Sequence, residues 1–203
     1  MKYNVRQNKE RRTISVVISP VVFNFTRYLY QKYNDEKFFA TGVLDKQDYT
    51  EDILPFVKDV VSNLNEISKG VLPPAEKFVP QDLITLNENE YRLLSKNILQ
   101  DGTWNKEFKI NLSSKTKRPD KKFLYSSLKE DSAISEESSK GHKYGVEIEI
   151  GVGYNEDNLE KYIYTVFHRA ISIGQRESGE SIYKASNDAW SGFNFGSEEE
   201  SPF

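Results

Sequence analysis

The 203-residue sequence predicts a mainly β fold, a small curved barrel with one inserted α-helix, followed by an acidic tail. Three observations predict it. Five or six segments alternate β-branched or aromatic residues with polar ones, whereas one segment carries a full helical repeat of apolar residues. The strand-like segments do not alternate with helices, which excludes a doubly wound parallel sheet. Gly42, Gly145, Gly151 and Gly153 fall in or beside these segments, where tight bends at barrel corners want them.

In chain order, residues 1–12 (MKYNVRQNKERR) hold Lys2, Arg6, Lys9, Arg11 and Arg12 against Glu10 and predict an exposed basic arm. The β-branched run 13–18 (TISVVI) predicts a buried strand, broken by Ser19-Pro20 because proline cannot donate to a central ladder. Residues 21–33 are dense in aromatics. A second strand at 37–44 (KFFATGVL) places Phe38, Ala40, Gly42 and Leu44 on one face, and Lys37, Phe39, Thr41 and Val43 on the other. The helix is 50–69, where Ile53, Phe56, Val57, Val60, Val61, Leu64 and Ile67 recur at three- and four-residue spacing. Thr50 or Asp52 is placed to cap it, Pro55 fits its first turn, and Gly70 stops it.

Residues 71–90, with Pro73, Pro74 and Pro80, read as loop, and 88–98 as a short helix. Asp101-Gly102 signals a hairpin into a strand at 106–112. A basic loop at 113–122 follows, then an apolar return at 123–128 and a polar loop at 130–143. The segment 144–153 (YGVEIEIGVG) alternates, with Val146, Ile148, Ile150 and Val152 inward and Glu147 and Glu149 outward. The last strand, 162–173, points Tyr162, Tyr164, Val166 and His168 one way, and Ile163, Thr165, Phe167 and Arg169 the other. Residues 186–196 (SNDAWSGFNFG) contain no Leu, Ile or Val and predict a tether, because they cannot bury enough apolar surface to offset ordering.

Composition narrows the function. With no cysteine there is no thiolate chemistry or Cys-ligated zinc, and two histidines are too few for a His-based metal site. No run reaches transmembrane length and no signal peptide is apparent, so a cytoplasmic protein is expected, without a membrane partner. The net charge of -3 equals the three glutamates Glu198, Glu199 and Glu200, which leaves the rest of the chain formally neutral. The tail SEEESPF (197–203) ends in Pro202 and Phe203 and suits a basic pocket with an apolar floor, on this chain or on a partner. A plain solvated terminus reads the same way.

The strongest chemical signal in the body is basic and aromatic. Lys106, Lys109, Lys115, Lys117, Arg118, Lys121 and Lys122 precede Phe123 and Tyr125, and 106–129 holds eight basic and two acidic residues. Single-stranded nucleic acid calls for this pairing, cations for phosphates and flat faces for bases. A solvated basic loop carries the same pattern. Tyr28, Tyr30 and Tyr33 near Arg27 and Lys32 form a second set, and Tyr162 and Tyr164 near Arg169 a third; both also read as half-buried sheet aromatics. Glu147 and Glu149 share a strand face and would serve a metal-dependent nuclease, although no third ligand is identifiable. GVGY (151–154) is too short for a phosphate loop, and no Ser/His/Asp set is spaced for catalysis.

These parts resemble a family, the phage single-stranded DNA-binding proteins of the podovirus replication type. The stretch SPVVFNFTRYLYQKYNDEKFFATGVLDKQD (19–48) is similar to that family's opening, and the helix at 50–69 follows as it does there. LQDGTWNKE (99–107) resembles its Asp-Gly turn; YGVEIEIGVGY (144–154) and IYTVFHRAISIGQRE (163–177) resemble its two late strands. The tail is similar to the acidic tip of bacterial single-stranded DNA-binding proteins. The late strand departs from the family in carrying Glu147 and Glu149, which sets them away from DNA.

The resemblance implies an OB-like five-stranded barrel with an inserted helix over 1–185, and a flexible linker and disordered acidic tail over 186–203. It implies sequence-independent binding of single-stranded DNA in phage replication or recombination, in the host cytoplasm, with no catalysis, cofactor or metal. Arg27, Tyr30, Lys32, Lys106, Lys109, Lys115, Lys117, Arg118, Lys121, Lys122, Tyr125 and Arg169 would contact DNA. Glu198, Glu199, Glu200, Pro202 and Phe203 would recruit replication proteins such as a polymerase, primase or helicase. A homodimer is among the states the sequence allows. The rival readings are the Glu147/Glu149 nuclease and a phage structural or host-interaction protein.

Overall fold

A computed structural model describes residues 1–23, 25–32, 37–44, 47–85, 92–99, 101–114, 122–129, 132–136, 139, 142–175 and the pairs 183–184 and 194–195. Its strands are β1 (Lys2–Asn8), β2 (Thr13–Phe23), β3 (Phe38–Leu44), β4 (Ile84–Thr85), β5 (Leu94–Ile98), β6 (Trp104–Ser114), β7 (Leu124–Tyr125), β8 (His142–Asn155) and β9 (Glu160–Gln175), with α1 (Leu54–Ile67) between β3 and β4. Nine strands form one sheet in the order β4-β5-β6-β3-β2-β8-β9-β7, with β1 beside β2. A separate two-stranded sheet pairs β10 (Tyr183–Lys184) with β11 (Asn194–Phe195), on either side of the expected boundary at 185/186. No helix among the described residues is long and apolar enough to cross a membrane.

The expected closed barrel is corrected: the sheet is open. β6 and β9 approach each other, but among the described residues no hydrogen-bonded ladder joins them. The inner faces still build one core. Ile14, Val16, Ile18 and Val21 from β2 meet Phe108 and Ile110 from β6 and Val146, Ile148 and Ile150 from β8, all fully buried. The apolar stripe of α1 (Phe56, Val57, Val60, Val61, Leu64, Ile67) packs against β1, β2 and β8. Burying each such large side chain contributes roughly 1.5–3 kcal/mol.

Several elements differ from their sequence expectation for identifiable reasons. The basic arm is mostly strand: β1 pairs with β2 from Lys2↔Ser19 to Asn8↔Thr13, and Tyr3 meets Phe56 edge-on at 5.0 Å. Alternation within 1–8 carries that signal, beneath the charges. Strand β2 continues through Ser19-Pro20, a cis peptide, by way of a register shift between Ile18 and Val21. The proline is accommodated at a bulge, where the ladder needs no donor. A π turn, Tyr49–Ile53, precedes α1, so the cap lies further upstream than Thr50 or Asp52. Asp48 Oδ1 accepts from the Thr50 and Glu51 amides at 2.7 and 2.8 Å, and Asp52 Oδ2 accepts from the Asp48 amide at 3.0 Å. That last bond holds the Asp52 carboxyl below its ordinary pKa.

Where a short helix was expected at 88–98, Leu94–Ile98 is strand, because Leu94 is fully buried and pairs with Ile110. The Asp101-Gly102 hairpin forms: Gly102 takes a φ of 80°, and Leu99 donates to the Thr103 carbonyl at 2.8 Å. The polar loop at 130–143 contributes buried Ile134 and Ser139.

Gly42 on β3 tests the packing between β2 and β6. A Cβ there would overlap the buried side chains of Val21 and Ile110. Gly42→Ala is expected to cost about 1–3 kcal/mol by overpacking. Urea denaturation checks it: the midpoint falls with an unchanged slope.

Candidate nucleic-acid interface

Where β6 and β9 fail to join, a cleft of about 880 Å³ opens. One wall comes from the outer faces of β3 and β6. Phe39 and Thr41 project from β3, and Asn111 and Ser113 from β6, because these positions alternate with the buried Phe38, Ala40, Ile110 and Leu112. Lys37 lines the cleft just ahead of β3, and Arg92 just ahead of β5. The Arg92 backbone is held by Asn111, whose amide Nδ2 donates to its carbonyl at 2.8 Å.

The facing wall is β9 (Lys161, Tyr162, Ile163, Thr165) with Phe78 and Asp82 from the loop after α1. Asn65 of α1 anchors that loop by bonding both the amide and the carbonyl of Phe78. Lys161 ties the loop to β9: its Nζ pairs with Asp82 at 3.0 Å, donates to the Lys77 carbonyl, and lies 5.5 Å from the Phe78 ring centroid. Lys161 is therefore a strut of the wall, whereas Lys37 and Arg92 supply the cleft's other positive charge.

Aromatic faces flank the opening. Tyr28 stacks on Phe39 at 5.0 Å and 22°, and Phe25, 54% exposed, meets Tyr28 edge-on at 5.4 Å. These rings run from the turn at 25–32, with its exposed Arg27 and Lys32, to the cleft. On the other side Tyr162 is 51% exposed and Tyr164 43% exposed.

The chain matches a phage single-stranded DNA-binding protein in structure. That protein, from bacteriophage Enc34, superimposes with a TM-score of 0.47 at 15% identity, over 94% of this chain and 98% of its own. Its C-terminally truncated form and its complex with single-stranded DNA also match, each with a TM-score of 0.47 at 13% identity over 87% of this chain; the match covers 96% and 97% of those chains. No protein-family model matches the sequence, and no curated protein matches it.

The residues singled out from the sequence fare unequally. Arg27, Lys32, Lys106 and Lys122 are exposed, and Lys109 is half-buried on the outer face of β6. Lys115, Lys117, Arg118 and Lys121 lie outside the described residues, as do Glu198, Glu199, Glu200, Pro202 and Phe203. Tyr125 is not a stacking platform. It is 6% exposed, on a strand paired in parallel with β9, and its hydroxyl accepts from the Lys122 amide at 3.1 Å. Tyr30 is half-buried against the core and donates to the Ile134 carbonyl at 2.9 Å. Burial foremost, and the Glu136 charge after it, push its pKa up to about 12 despite the opposing bond to Ser139.

Arg169 is engaged within the sheet. A register shift on β9 sets it opposite Glu147, and its Nε donates to that carboxylate at 2.7 Å. Glu149 faces His168 at 3.6 Å. Of the two acids proposed for a nuclease, Glu147 is thus engaged, and among the described residues no group of three His, Cys, Asp or Glu side chains could hold a metal ion.

Sequence reasoning overlooked Phe25, Lys37, Phe39, Arg92, Asn111 and Ser113 as site residues. The polar alternation Lys109, Asn111, Ser113 on β6 and the outer face Lys37, Phe39, Thr41 on β3 were the available signals. Arg92 had none, because only the fold brings it to the cleft. Arg169→Ala should cost about 1.5–3 kcal/mol of stability, the range for a hydrogen bond to a charged group. Any DNA affinity of the folded variant should keep the wild-type salt slope, which titrations at several salt concentrations measure.

Proposed function

We propose that this chain binds single-stranded DNA without sequence preference, through the cleft between β6 and β9. One observation carries the reading: cations (Lys37, Arg92) and aromatic side chains (Phe39, Tyr162) line the same open groove. Phosphates need the first and unstacked bases the second. The strand order supports an OB-like barrel, partly open at its seam. Of the five strands in the path β6-β3-β2-β8-β9, the cleft draws on β3 and β6, the second and third in chain order, and lies beside the turn joining β2 to β3 and the hairpin joining β8 to β9. OB folds bind oligonucleotides with these parts. Exposed Arg27, Lys32, Lys106 and Lys122 are further candidate phosphate contacts, and Lys115, Lys117, Arg118 and Lys121 are candidates on their charge alone.

The variants Lys37→Ala and Arg92→Ala test the cleft. Each lost phosphate contact should reduce the log–log salt slope of single-strand affinity by about 0.7. Phe39→Ala should weaken binding by about 1–3 kcal/mol. Unchanged slope and affinity in all three variants would remove the cleft from the binding path.

The wider role we propose is phage DNA replication or recombination, with the segment Glu198–Glu199–Glu200 and Pro202–Phe203 recruiting replication proteins. Its motivation is an acidic, aromatic-ended segment beyond the body. Phe203→Ala keeps the glutamates, so DNA affinity should hold while capture of a replicative polymerase, primase or helicase falls. Undiminished capture of all three would refute the recruiting role.

A further inference from the structure

Two tyrosine–glycine pairs mark the outer face of the β8–β9 hairpin, and only one of their rings, Tyr162, lines the cleft. Tyr164 stands opposite Gly151, and Tyr162 opposite Gly153. Each ring lies across its glycine: a Cβ on Gly151 would overlap Cζ, Oη and Cε1 of Tyr164, and one on Gly153 would overlap the same atoms of Tyr162. Both glycines are buried in consequence, although they sit on the outer face, and both rings remain about half exposed. The glycines therefore act as seats, letting each ring lie down over the backbone with its far face to solvent.

The spacing has a chemical reading. Residues two apart on a strand are separated by roughly 6.6 Å. Neighbouring bases in a stacked duplex strand are about 3.4 Å apart. Two platforms at twice that distance suit successive bases of an extended, unstacked strand. Charge lies in the same direction. Gly151 pairs on its other edge with Thr13, the residue after the exposed turn that carries Arg11 and Arg12. Tyr164, Gly151 and Thr13 thus form a row across three strands that ends beside two arginines. Glu149 and Glu147 lie the other way along β8, facing His168 and bonded by Arg169 respectively, whereas Glu160 precedes Tyr162 on the same face and Glu10 precedes the two arginines in their turn.

We infer that the nucleic-acid track continues past the cleft, from Tyr162 over Tyr164 to the basic turn at Arg11 and Arg12, holding one unstacked base on each glycine-seated ring. The inference rests on the proposed single-strand binding and extends its footprint. Tyr162 belongs to both parts, since it also lines the cleft. Tyr164 and the arginines belong to the extension alone.

Oligothymidylates of about 5 and about 20 nucleotides, one near the lower end of single-strand site sizes and one beyond the upper end, separate the two parts. With the long probe, Tyr164→Ala should weaken binding about 5-fold or more and Tyr164→Phe should not. Gly151→Ala, which displaces the Tyr164 ring, should match Tyr164→Ala. Arg11→Ala with Arg12→Ala should lower the salt slope by about 1.4, at about 0.7 each. With the short probe, all these variants should bind like wild type, whereas Arg92→Ala and Phe39→Ala should weaken both probes. Wild-type affinity of Tyr164→Ala for the long probe would overturn the extension and leave the cleft reading standing. Equal weakening on both probes would also overturn it, placing Tyr164 within the cleft site. Indifference of both probes to Arg92→Ala and Phe39→Ala would instead sink the cleft reading.

Discussion

The structure depends on the ladder capacity of a single strand. β2 has two edges and three partners: β8 takes one edge, and β1 and β3 share the other. Because β1 occupies that edge from Thr13 to Ser19, β3 pairs only at Val22 and Phe23, beyond the bulge. A ladder cannot serve two partners at one position, so each backbone donor and acceptor of β2 dictates where its neighbours go. Pro20 sits where the partner changes, and the bulge there bends the strand. The alternate side chains of β2 meanwhile drive into the core, which fixes the register, since a slip of one residue would turn Ile14, Val16 and Ile18 outward.

The cleft follows from this arrangement. β3 carries β6 away on one side of β2, and β8 carries β9 away on the other, and the sheet curls until β6 and β9 approach without joining. A seam of that kind exposes the outer positions of the strands bordering it. Here they are Phe39, Asn111, Ser113 and Tyr162, with Lys37 and Arg92 at the strand entries. Tightly packed barrels bury such positions against a ladder, so a bound strand has no route. The partly open seam gives flat apolar faces and positive charge to the same solvent-filled space. That is the combination a flexible polyanion with unstacked bases can use and a rigid duplex uses poorly.

Most of the fold was legible from periodicity. The two-residue alternation in 37–44, 144–153 and 162–173 and the apolar stripe of the helix each record a face buried against something large. The failures share a cause. Charges obscured β1, whose Tyr3 and Val5 were the readable signal, and Leu93–Leu94 read as helix because a strand so short carries too few periods to decide. Local spacing also cannot see a bulge, which turned Arg169 toward Glu147 and away from the face its alternation predicts. For the site, the chemistry was legible and the residues only in part. Aromatic and basic side chains signalled nucleic acid, but which of them line the cleft is a property of packing. Tyr125 is buried by β9, and Arg92 reaches the cleft only through the pairing of β5 with β6.

The central claim is that the open seam receives a single nucleic-acid strand. Equilibrium titration of the full chain with matched single-stranded and duplex DNA, across a range of salt concentrations, tests it most directly. The account predicts tighter binding to the single strand at every salt concentration, with affinity falling linearly on the log–log scale. Equal affinity for the duplex, or no single-strand binding at low salt, would contradict it.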